Sequence, residues 1–79
     1  MGYHKVHITK GILGEYTKVK EEFDELTDAV GQKNKILIIC ELSDLLGAIE
    51  EYAKQFNMTL VDLKEFSDLT KAAFKDGSR

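Results

Sequence analysis

Two short stretches pair acidic residues at a spacing of three, which a helix turns into one ligand-bearing face. Residues 21–25 read EEFDE and residues 41–44 read ELSD. At about 100° per residue, Glu22, Glu25 and Asp28 fall on adjoining surfaces at one edge of an apolar stripe, while Glu21 and Asp24 point further away. Glu41 and Asp44 share a surface with Leu37, Leu45 and Ala48, so that surface is expected to be buried. A carboxylate there must be neutralised, paired or metal-bound, because an isolated buried charge is too costly to persist. Lys33 and Lys35 lie near the start of that helix and Lys54 lies three turns beyond Glu41, so no lysine partner is evident. Two antiparallel helices carrying such pairs gather four carboxylates around one volume, a hard oxygen donor set suited to magnesium or manganese. Taken alone, EEFDE suits a solvated helix face. ELSD, set between ILIIC and LLGAI, does not.

Helices must hold these acids. From Gly14, apolar residues Tyr16, Val19, Phe23, Leu26 and Val30 recur at steps of three and four, with Gly31 placed to cap the end. A second helix is predicted from about Lys33 to Phe56, with Gly47 in its interior explained by close helix packing. Thr59 is placed to cap a third, with Asp62 in its first turn, an apolar stripe from Leu60 to Phe74, and Gly77 at its end. YHKVHIT, near the N-terminus, reads as a short strand or an ordered arm. The expected fold is all-α: a three-helix chain of 79 residues forming one domain and joining a four-helix-bundle-type oligomer, since the second helix is apolar around more of its circumference than two neighbours can cover.

Composition narrows the function. With 43% hydrophobic and 32% charged residues and a net charge of −3, the chain is globular and repels nucleic-acid backbones, so a polyphosphate ligand would need a bridging cation. One cysteine, Cys40, precludes an intrachain disulfide and fits a reducing, cytoplasmic setting. The longest apolar run, Ile36 to Cys40, is too short for a membrane span, and the N-terminal stretch lacks the apolar core of a signal peptide.

EEFDE followed after fifteen residues by ELSD resembles the EExxE and ExxD signature of the MazG-like nucleotide pyrophosphohydrolases, an all-α superfamily of nucleoside triphosphate pyrophosphatases. The resemblance covers residues 14–56. It implies that Glu22, Glu25, Glu41 and Asp44 are magnesium ligands, with Glu21 in a supporting role. It also implies a homodimer or homotetramer whose central bundle combines helices from two subunits. The implied reaction is cleavage of a nucleoside triphosphate between the α and β phosphates, with Glu22 or Glu25 as the base. The alternatives are a non-catalytic nucleotide-binding or regulatory module, and an oligomeric bundle whose acids pair with lysines.

Lys71, Lys75 and Arg79 recur every four residues and are candidates for a polyphosphate tail, against a solvated stripe that complements the helix dipole. Lys10 and Lys18 are weaker candidates. His4 and His7 are read as exposed and structurally unimportant, Tyr3, Tyr16, Tyr52 and Phe56 as packing residues, and Cys40 as a buried, inert thiol.

Overall fold

In the computed structural model, which describes residues 3–77, the segments of helical period are helices, and no strand occurs among the described residues. Helix α1 spans Tyr16–Gly31, α2 spans Lys35–Ala53 and α3 spans Leu60–Asp76, with a 3-10 turn at Lys54–Phe56 tightening the end of α2. The expected second helix is thus shorter at both ends, and Asn57, left-handed at φ 57, stops it. Gly31 lies inside the last turn of α1 rather than capping it. The reversal comes two residues later at Lys33, φ 56, which frees Asn34 to accept the Leu37 N–H at 3.1 Å and cap α2. At α3 the expected caps are present: Thr59 and Asp62 form a capping box, and Gly77 closes the helix at φ 81.

The three-residue connection turns α1 and α2 into an antiparallel hairpin, which holds the only extensive helix–helix packing among the described residues. The apolar residues it buries fully are small, Ala29, Ala48 and Ala53, with Leu26, Leu37 and Leu45 half-buried beside them. No carbon beyond Cβ keeps these positions apart. Phe23, Val30, Ile36, Ile39, Leu42 and Leu46 therefore face outward, each at least half exposed. Gly47 is not a close-packing site within the chain, since a Cβ there would meet nothing within 4 Å. Cys40 is exposed rather than buried. Tyr52 stacks edge-on against Phe56 at 5.3 Å, but Phe56, Tyr3 and Tyr16 are exposed, contrary to a core role in the single chain.

Helix α3 buries none of its residues and leaves Val61, Phe66, Leu69 and Phe74 exposed. It projects from the hairpin: the radius of gyration is 14.3 Å, against about 11.6 Å for a compact chain of this length.

Residues 3–15 form an ordered arm rather than a strand. Gln32 donates to the Tyr3 carbonyl at 2.8 Å, the Gly11 N–H donates to Glu21 at 2.8 Å, and the Ile12 N–H donates to the Thr17 hydroxyl at 3.1 Å. A Cβ at Gly11 would overlap the Thr17 carbonyl, so the arm passes the start of α1 only because that residue is glycine. The arm reaches the acids of the hairpin.

Candidate metal centre

Antiparallel packing sets Glu22 and Glu25, one turn apart on α1, opposite Glu41 and Asp44, one turn apart on α2. One ligand atom from each of the four lies within 4.8 Å of all the others. Glu22 and Glu41 are each only 5% exposed, whereas Glu25 is half-buried and Asp44 is exposed at the mouth of the group. Leu37 and Leu45 flank Glu41 half-buried, and Ala48 lies buried a turn beyond Asp44, so the apolar setting expected of Glu41 is present.

The protein's own cations satisfy this cluster incompletely. Lys18 reaches Glu22 Oε2 and Glu21 Oε1, both at 3.1 Å. Lys10 stands 3.7 Å from Glu21 but is largely exposed and contributes little. His4 supplies the remaining charge. Among the described residues, six carboxylates, from Glu21, Glu22, Glu25, Asp28, Glu41 and Asp44, thus face three cationic side chains, one of them a histidine that must be protonated to count. Glu22 Oε1 and Glu41 Oε1 are buried with no hydrogen-bond partner among the described residues. Orphaned carboxylate oxygens of this kind are expensive unless an ion or an ordered water completes them, and the donor set, all oxygen, suits a hard divalent cation.

Electrostatics record the crowding. Burial, and then the adjacent Glu25 carboxyl, push Glu22 above the usual carboxylate range despite Lys18. Glu21 goes the other way: burial would raise it, but the Gly11 N–H and Lys18 outweigh that and hold it low. Glu21 stands outside the four-acid group and anchors both the arm and Lys18 beside it. This is a positional reason for two successive glutamates: one faces the cluster and the other ties down its surroundings.

The residue that sequence reasoning missed is His4. It is not a solvated bystander: its ring spans Asp28 and Glu41, with Nδ1 2.8 Å from Asp28 Oδ2 and Nε2 2.9 Å from Glu41 Oε2, and its side chain is only 14% exposed. Burial would lower its pKa, but the hydrogen bonds to Asp28 and Glu41 prevail and raise it. Asp28 is held low, chiefly by His4, and also accepts from Gln32 and the Lys5 N–H. His4 also forms a second ligand-competent group with Glu25 and Glu41. Its partners are 24 and 37 residues away, and the arm has no periodicity that points to them. His7 is exposed.

Two open clefts flank the acids. One, of about 410 Å³, is lined by Lys18, Glu22, Asp44, Gly47 and Glu51 among others, and the second, of about 490 Å³, by Tyr3, Asn34, Ile36, Cys40, Glu41 and Asp44. Lys71 and Lys75 line neither cleft. Both are exposed on α3, where Lys71 pairs with Asp68 at 3.9 Å, and Arg79 lies outside the described residues. No helix is long and apolar enough to cross a membrane among the described residues. Comparison with protein-family models, curated proteins and solved structures finds no match to this chain.

Proposed function

We propose that the chain is a magnesium-dependent nucleoside triphosphate pyrophosphohydrolase that works as a homodimer or homotetramer. The observation that carries the reading is the convergence of Glu22, Glu25, Glu41 and Asp44 within 4.8 Å, with buried oxygens of Glu22 and Glu41 left unpartnered. These four residues would hold magnesium or manganese. A bound ion of this class neutralises phosphate oxygens and makes water more acidic. In the reaction, water adds to phosphorus, the bond between the α and β phosphates breaks, and pyrophosphate leaves with the nucleoside monophosphate as the other product. Glu22 or Glu25 would take the proton of the attacking water.

Assembly is supported by surface area. The chain exposes 6073 Å², whereas a compact monomer of its mass exposes about 4,800 Å². The excess, roughly 1,300 Å², exceeds the ~800 Å² per partner of a standard interface. It coincides with exposed apolar residues on α2 and α3. Lys71, Lys75 and Arg79 remain the candidates for the polyphosphate tail, on the condition that assembly carries α3 to a neighbouring copy's acids.

The test is a panel of nucleoside triphosphates with magnesium, read for both products. Stoichiometric pyrophosphate and monophosphate are expected. Diphosphate with inorganic phosphate, or no turnover of any triphosphate, would overturn the reading.

A further inference from the structure

We infer that the N-terminal arm completes a second metal position, in which His4 Nε2 joins Glu25 and Glu41 around a first-row transition ion such as manganese. This rests on the carboxylate reading above, because Glu25 and Glu41 belong to both groups. The ligand atoms of His4, Glu25 and Glu41 lie within 4.8 Å of one another, and His4 forms this group rather than joining Glu22 and Asp44 in the other. The positions are therefore neighbours that share two carboxylates.

Three observations favour an ion over a plain histidine–acid pair. The first is the orientation of the ring. Asp28 occupies Nδ1 and is itself fixed by Gln32 at 2.8 Å and by the Lys5 N–H at 3.1 Å, leaving Nε2 aimed at Glu41. A carboxylate behind a histidine whose other nitrogen faces further acids is the usual support of a metal-bound imidazole. The second is Glu41 itself. Its side chain is 6% exposed, His4 satisfies Oε2, and Oε1 has no partner. The third is charge. A proton on Nε2 brings one positive charge to Glu25 and Glu41, whereas a divalent ion on neutral Nε2 brings two and offers coordination to both carboxylates. An imidazole donor also sets the selectivity: magnesium prefers oxygen and retains its water, the later first-row ions favour nitrogen, and manganese, itself at home on oxygen, tolerates one imidazole among carboxylates.

Manganese is the probe, read by electron paramagnetic resonance on the full chain. The wild-type protein should bind two ions per chain at saturation, with nitrogen modulation of the echo that changes when the histidines are labelled with ¹⁵N. Excess magnesium should displace the ion on oxygen ligands first, so the manganese that remains keeps the nitrogen signal. His4→Ala should bind one ion and lose the modulation, and His7→Ala should behave as wild type. Asp28→Asn should keep the fold by circular dichroism but weaken the nitrogen coupling, which a merely structural Asp28 would leave unchanged. Bound manganese without histidine modulation would overturn this inference and leave the four-carboxylate site standing, whereas no manganese binding would overturn both. Isotope labelling needs no substitution, so the test survives a His4→Ala variant that fails to fold.

Discussion

Glu22→Gln should make two melting curves cross. Glu22 is 5% exposed, its Oε1 is unpartnered, and burial and Glu25 both oppose its charge. Glutamine keeps the shape, removes the charge and supplies an N–H that Glu25 can accept. Lys18 loses one acceptor but keeps Glu21 Oε1 at 3.1 Å, so no cation is stranded. Relief of an unsatisfied buried acceptor is on the order of 1–3 kcal/mol. Taking about 1 kcal/mol after loss of the Lys18 contact, the metal-free variant should melt ~4–8 °C above wild type for a domain of this size. Metal reverses the order. An ion present at a hundred times its dissociation constant stabilises wild type by about 2.7 kcal/mol, and the variant, short of one ligand, should gain far less. The assay is calorimetry at one fixed protein concentration, near pH 7.5, in chelator and then in millimolar magnesium. A variant that melts below wild type in chelator, yet keeps the full magnesium shift, would show that Glu22 serves Lys18 structurally and would refute the reasoning.

Glu41→Gln should lower pyrophosphate release by at least roughly a hundredfold, because an amide replaces a charged ligand poorly at a catalytic ion; retained turnover would remove Glu41 from the site. In chelator, stability should decline as pH rises from the carboxylate range past neutrality. Glu22, raised in the fold, holds its proton more tightly than the unfolded chain does, and the contribution of His4, also raised, is full below about 6.5 and lost as pH climbs through its folded value. Asp28 and Glu21, both lowered, add a separate loss as pH falls below about 4. Denaturant melts across pH check this, and stability that increases from pH 6 to 8.5 without metal would contradict it. Sedimentation at micromolar concentration should show a dimer or tetramer, with Leu69→Glu or Leu42→Glu shifting it toward the 8.9 kDa chain; a monomeric wild type would remove the assembly.

The acids were legible because three-residue spacing on a helix is a geometric statement that packing does not alter. Glu41 stood out because its neighbours along the helix face are apolar. The caps at Thr59 and Gly77 were legible for a similar reason: they depend on local backbone chemistry alone. His4 was not, since its role depends on where an aperiodic arm lands, 37 residues from Glu41. Lys18 was underrated because its work is to hold two adjacent glutamates, one of them turned away from the cluster. Cys40 and α3 show the limit of hydrophobic patterning. An apolar stripe says that a face is to be covered, not that the same chain covers it, and here Cys40 lies exposed and α3 projects from the hairpin.

That inversion of inside and outside has a physical logic. A core of leucines between α1 and α2 would hold the helices apart and exclude the carboxylates. The fully buried apolar side chains are instead alanines, at 29, 48 and 53, while Leu26, Leu37 and Leu45 are only half-buried, and four acids come within 4.8 Å beside them. Such a seam contributes little hydrophobic stabilisation, since burial energy scales with area, and it must also contain buried charge. The larger apolar residues left outside are then the reservoir from which stability has to come. A second copy would bury them without displacing the acids, and an ion would offset the repulsion that the seam creates. On this reasoning metal binding and assembly reinforce each other thermodynamically: metal should tighten subunit association, and dilution should weaken apparent metal affinity by the same factor.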